Sequence, residues 1–118
     1  MPVPVTENLI ALLIFNHDVI HEQLKDISHE ESLLQLPYRG NCLNWVVGHL
    51  VTAREDSLTL LGLPGVLTEA EKIIYGYGSE PLVDAAKASD LDDLLKKLDE
   101  SFNLLTGSLE KLTQSDAD

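Results

Sequence analysis

Cysteine occurs once in this 118-residue chain, as Cys42, so no internal disulfide can form and a reducing compartment suits the protein. Basic residues are scarce as well. Eight Lys and Arg stand against 20 Asp and Glu, for a net charge of −12. The deficit is even: residues 1–40, 41–86 and 87–118 each carry a net −4. No third of the chain therefore holds the basic stripe that a phosphate backbone requires, which argues against nucleic acid as a partner. An anionic membrane surface is disfavoured for the same reason. No apolar run approaches the roughly 18 residues of a membrane span. The start, Met1-Pro2-Val3-Pro4, lacks the basic region of a secretory signal. The sequence thus reads as a soluble, cytoplasmic protein. It also has no glycine-rich phosphate loop, no G-x-S-x-G elbow and no C-x-x-C pair.

Strand signals are nearly absent, and what is present is helical periodicity. At this length, with 44% apolar residues, one domain spanning residues 1–118 is expected, with about two-thirds of its surface buried. Three long helices are predicted, giving an all-α, up-and-down helical bundle. The first begins after Pro4 with Thr6 as N-cap and carries Leu9, Leu13, Ile20, Leu24 and Ile27 at helical spacing. Ser28 and Glu31 form a capping box for a short helical turn that ends before Pro37. Asn41 is the expected cap of the second long helix, whose apolar face carries Leu43, Val46, Val47, Leu50, Leu58 and Leu61. Gly62 and Pro64 stop it.

Thr68 and Glu71 repeat the capping box, and Gly76-Tyr77-Gly78 closes that short helix. Residues 79–88 read as an irregular crossing segment. In the third long helix, Leu91, Leu95, Leu98, Phe102, Leu105, Leu109 and Leu112 alternate steps of four and three, the pattern of a bundle seam. Ser89 with Asp92 is the expected cap. Residues 113–118 read as a loop leading toward a further helix, because three wide apolar faces ordinarily want a fourth partner.

Chemistry-bearing residues are few. His17 and His21 stand at i, i+4 on the first helix, so both rings share one face and can reach one metal ion. At 100° per residue they lie about 40° and 80° from Leu13, leaning toward the interior. By spacing alone they more often describe hydrogen-bonded histidines at the edge of a core, since two histidines do not complete a zinc site. His49 lies off the centre of the second helix's apolar face, with Cys42, Val46, Ala53 and Asp56 beside it on a helical wheel. Asp56 is placed to orient its imidazole or to sit in solvent as a surface charge. His29, beside Glu30 and Glu31, reads as structural. Tyr75 and Tyr77 either line a pocket or cover the end of the bundle.

Residues 41–54 form the pattern N-x-x-x-W-x-x-G-H-L-x-x-x-R. This segment resembles the start of the second helix in the DinB/YfiT-like family of metalloenzymes. Ile27 through Pro37 resembles that family's linker after its first helix, and Tyr77-Gly78-Ser79-Glu80-Pro81 resembles its long crossover. The resemblance implies a four-helix bundle in which three histidines hold a divalent metal, commonly zinc or nickel. His49 matches the first of those ligands. The family's other two ligands form an H-x-x-x-H pair on a fourth helix, and residues 50–118 contain no histidine.

Three explanations follow: the sequence is a fragment, the chain lacks the family's site, or His17 and His21 substitute. The implied activity is metal-dependent transfer of a low-molecular-weight thiol, or an isomerisation of the kind performed by maleylpyruvate isomerase, with Trp45 fixing the helix. The alternative is a non-catalytic helical module that self-associates, as a homodimer, through uncovered apolar faces.

Overall fold

Breakers and caps set most helix ends, as a computed structural model of the chain shows for residues 4–35, 41–82 and 84–117. Helix α1 spans Pro4–Leu24, with Pro4 in the first turn, where a missing N–H costs nothing. Asp26, at φ 64°, takes the left-handed conformation just beyond it. Helix α2, His29–Ser32, carries the predicted capping box, Ser28 to the Glu31 N–H and Glu31 back to the Ser28 N–H. Helix α3 spans Leu43–Leu60 and α4 Glu69–Tyr75, the latter with the predicted Thr68–Glu71 box. A single 3₁₀ turn at Ala85–Lys87 interrupts the irregular crossing, and α5 runs from Leu91 to Ala117. The class is all-α, with three long helices of 21, 18 and 27 residues. No strand occurs among the described residues.

Several boundaries differ from expectation. Thr6 lies inside α1 and is buried, because Pro4 opens the helix earlier. Cys42, not Asn41, occupies the N-cap of α3, without a side-chain capping bond. Residues 113–117 continue α5 instead of forming a loop; nothing in them breaks a helix. Pro37 lies outside the described residues. At the end of α3 the Gly62 prediction holds in detail. Gly62 at φ 72° lets the Leu63 N–H reach the Leu58 carbonyl at 2.9 Å while its own N–H reaches Thr59 at 3.0 Å, a Schellman stop.

The chain divides into two compact units, one comprising residues up to Asp26 together with Phe102 onward, the other Ile27–Ser101. In the first unit the inward side of α1 is Thr6, Ile10, Leu13, His17, Ile20 and Leu24, stepping by four and three residues. Leu9, expected on that face, is 45% exposed. In the second unit Val47, Val51, Leu58, Tyr75, Leu82, Leu91, Leu94 and Leu98 are buried. The buried line of α5 is Leu91, Leu94, Leu98, Ser101 and Leu105. It is rotated from the leucine pattern because Leu94 and the small, polar Ser101 take the centre while Leu95 and Phe102 flank it.

Polar groups also tie the second unit together. The Tyr75 hydroxyl donates to Asn44 Oδ1 at 2.6 Å and accepts the Ser89 N–H at 2.8 Å. Asn44 Nδ2 donates to the Ser89 carbonyl at 2.9 Å, and Ser89 Oγ donates to Glu71 at 2.7 Å. Glu71 also pairs with Lys97 and accepts the Thr68 N–H. Among the described residues no buried side-chain nitrogen or oxygen lacks a partner, which keeps this network from being a liability.

Candidate functional site

The segment from Trp45 to Tyr77 builds a cleft of about 570 Å³ in the second unit. One wall is α3, with His49, Thr52, Ala53, Asp56 and Thr59 on a common face; Lys72, Gly76 and Tyr77 form the other. His49 is half-buried, and its orientation is over-determined. The Trp45 indole stacks on it, with centroids 4.6 Å apart and planes within 9°. That indole is itself tied down, since its Nε1–H donates to the Ile74 carbonyl and to Ser79 Oγ, both at 3.0 Å.

On the other side, His49 Nδ1 lies 2.9 Å from the Tyr75 carbonyl. A carbonyl only accepts, so Nδ1 carries the proton. In the uncharged ring the lone pair is then on Nε2. The Thr52 hydroxyl donates to the His49 carbonyl at 2.6 Å.

Gly48 makes this possible. A Cβ there would fall 2.2 Å from the Tyr75 ring. Only glycine lets Tyr75 lie against α3 closely enough for its carbonyl to meet the next residue's imidazole. Tyr75 is fully buried, and burial pushes its phenol pKa up despite the Ser89 N–H. Arg54, at the end of the same motif, donates from Nη1 to the Leu98 carbonyl at 3.0 Å and so ties α3 to α5. Burial lowers its pKa, with Asp99 opposing.

Two acidic residues near the cleft have structural work. Glu55 is buried and accepts the N–H groups of Val66 and Leu67, the latter at 3.1 Å, so it staples the loop after α3. A Cβ on Gly65 would meet that carboxylate at 2.5 Å. For Glu71, burial alone would raise the carboxyl, but Lys97, the Thr68 N–H and the Ser89 hydroxyl outweigh it and hold the pKa down at about 2.

The orienting partner of His49 is therefore the Tyr75 carbonyl, not Asp56, which is exposed in the cleft wall. Cys42 is buried, and its thiol donates to the Leu82 carbonyl at 3.9 Å. Tyr77 lines the cleft and is 97% exposed. No other two metal-ligating side chains converge on His49 among the described residues.

In the first unit, His17 and His21 do come together. Their rings meet edge to face at 4.6 Å, His17 stacks on Phe102 at 4.0 Å, and His17 is buried. A ring nitrogen of one lies within 4.8 Å of a ring nitrogen of the other, a separation that a single divalent cation can bridge. The i, i+4 spacing made this pair visible in the sequence. The role of Tyr75 had no such signal, because its bond to His49 spans 26 positions.

No family model, curated protein or solved structure matches this chain.

Proposed function

We propose that this chain is a DinB-like metal-binding protein whose cleft serves a metal-dependent reaction, with His49 as a ligand. The observation that supports it is the way Trp45, Gly48 and Tyr75 fix one imidazole in the cleft wall with its Nδ1 committed to a carbonyl. A histidine whose other ring nitrogen donates to a carbonyl is the ordinary arrangement of a metal-ligating imidazole. The fit covers one ligand only. The described residues supply no second and third donor to His49, so further ligands have to come from elsewhere.

A zinc or nickel ion held there supplies Lewis acidity and lowers the pKa of a bound water or thiol. The chain's own contribution is positional. Trp45 and the Tyr75 carbonyl hold the imidazole, Glu55 lines the cleft, and Thr52 and Asp56 offer polar groups to a substrate. In the family this segment resembles, the reactions are thiol transfer and isomerisation, and a low-molecular-weight thiol is the substrate class proposed.

Metal content measured by plasma mass spectrometry on chelator-free protein tests the reading. Stoichiometric zinc or nickel is expected, lost in His49→Ala and retained in His17→Ala. Metal that stays with His49→Ala and leaves with His17→Ala or His21→Ala moves the site to the first unit. Protein that binds neither metal ends the metalloenzyme reading.

A second reading is favoured by a different observation. Leu9, Leu12, Phe15 and Val19 form one stripe on α1 and are 45%, 57%, 64% and 40% exposed. A stripe of this kind in water calls for a partner, and a second copy of this chain is the partner this reading proposes. The homodimer is compatible with a metal site but does not need one.

A further inference from the structure

His29 has no part in the cleft, yet it makes a contact that its sequence position does not suggest. Its Nδ1 accepts the backbone N–H of Leu91, 62 positions away, at 3.1 Å. Leu91 is the first residue of α5, and the first N–H groups of any helix have no partner within it. Here they are shared out between two side chains. Asp92 N–H goes to Asp90 Oδ1 at 2.9 Å, Leu91 N–H goes to His29, and Leu94 N–H closes the first turn on the Asp90 carbonyl at 3.0 Å. The expected cap, Ser89, instead donates its hydroxyl to Glu71.

An imidazole nitrogen that accepts an N–H must be unprotonated, so this ring is neutral with its proton on Nε2. We propose that His29 is a pH-sensitive cap, holding the start of α5 only while its ring is uncharged. Protonation at Nδ1 replaces the acceptor with a donor facing the Leu91 N–H, and it sets a cation at the positive end of a 27-residue helix. Both changes expel the ring.

The charged groups on the elements that meet here are Glu30 and Glu31 on α2 and Asp90, Asp92 and Asp93 at the start of α5. The first turn of α3, Leu43 to Val46, contributes none. Glu31 is engaged by the Ser28 N–H and Asp90 by the Asp92 N–H. Glu30, Asp92 and Asp93 are the remaining carboxylates on those elements, and all three are exposed.

The consequence reaches the cleft. Ser89, two residues before Leu91, holds the Tyr75 hydroxyl and the Asn44 amide, and the Tyr75 carbonyl holds His49. Loosening the start of α5 slackens the far end of that chain of bonds, whether or not His49 carries a metal.

Nuclear magnetic resonance on the full chain between about pH 8 and pH 5, where histidine ordinarily gains charge, tests the cap. Ring nitrogen shifts of His29 are expected to show an Nε2–H tautomer at the upper end. As the ring takes up its proton, the Leu91 amide should lose roughly fivefold or more of its exchange protection, the size of a lost helix cap. The Val51 amide in the middle of α3 should keep its protection. His29→Asn sets an amide oxygen near the same point and should hold Leu91 protected across the range. The proposal is overturned if His29 titrates with Leu91 unchanged, if the ring stays neutral throughout, or if Nδ1 bears the proton at the upper end. Should His29→Asn fail to fold, the wild-type readings decide the matter alone.

Discussion

Helices α1 and α3 are both long and both rich in apolar residues, but they handle polarity in opposite ways. Helix α3 buries Asn44 and Glu55 and gives Asn44 a partner 45 residues away and Glu55 partners 11 and 12 residues away. Helix α1 leaves Leu9, Leu12, Ile14, Phe15 and Val19 substantially exposed while burying Thr6 and His17. The contrast teaches where specificity comes from. A buried hydrogen-bonded side chain fixes one register, because a shift of one position leaves a donor or acceptor unpaired at a cost of about 1–3 kcal/mol. An exposed apolar stripe fixes nothing within the chain and gains stability only when something covers it.

The largest expected effect breaks the tight side of this comparison. Gly48→Ala drives a methyl into the fully buried Tyr75 ring. It should lower stability by about 2–3 kcal/mol, overpacking outweighing the gain in helix propensity. Denaturant unfolding measures it, and an unchanged midpoint would mean that Tyr75 does not sit on α3.

Acidification sharpens the same side. Glu71 has its pKa held at about 2 in the folded state against an ordinary 4.5. Its contribution is therefore complete above pH 4.5 and disappears as pH falls toward 2. About 2 kcal/mol should be lost once solvent screening is allowed for. Lys97→Met should flatten that slope in a stability profile taken from pH 6 to pH 2.5, on the order of half of it. A slope that Lys97→Met leaves intact would assign the acid sensitivity to other carboxylates.

The smallest effect on folding belongs to the exposed stripe. Leu12→Gln with Phe15→Gln should move the unfolding free energy by no more than about 0.5 kcal/mol per site, as for ordinary surface positions. On the self-association reading it should nevertheless convert a dimer to a monomer in sedimentation experiments. A wild-type chain that sediments as a monomer removes the self-association reading and leaves the stripe without an occupant of its own kind.

Legibility followed the range of the interaction. The i, i+4 spacing of His17 and His21 put both on one face, and they meet there. Both capping boxes and the Gly62 stop were visible because each involves residues within a few positions of one another. The seam of α5 was misplaced by about one residue, since a leucine count gives Ser101 no weight, although it is fully buried. On α1 the inward positions Leu13, Ile20 and Leu24 and the inward lean of His17 hold, while Leu9 is exposed and Thr6, expected as the cap, is buried inside the helix. The cleft was half legible. The family resemblance carried by W-x-x-G-H singled out His49, but the ring's partner, the seat for Tyr75 on Gly48 and the Glu55 staple lie 11 to 27 residues away.

The sequence by itself determined that this chain is helical, where most helices start and stop, and which histidines share a face. Those properties depend on backbone propensity and on contacts one turn apart, which periodicity encodes directly. Only the tertiary structure decided which nitrogen of His49 keeps its lone pair, and that His29 caps a helix 62 positions away. It also decided that Glu55 and Glu71 are fasteners, not free acids. Each of these is a hydrogen bond between distant positions, set by the docking of whole elements, and residue spacing carries no trace of such a bond.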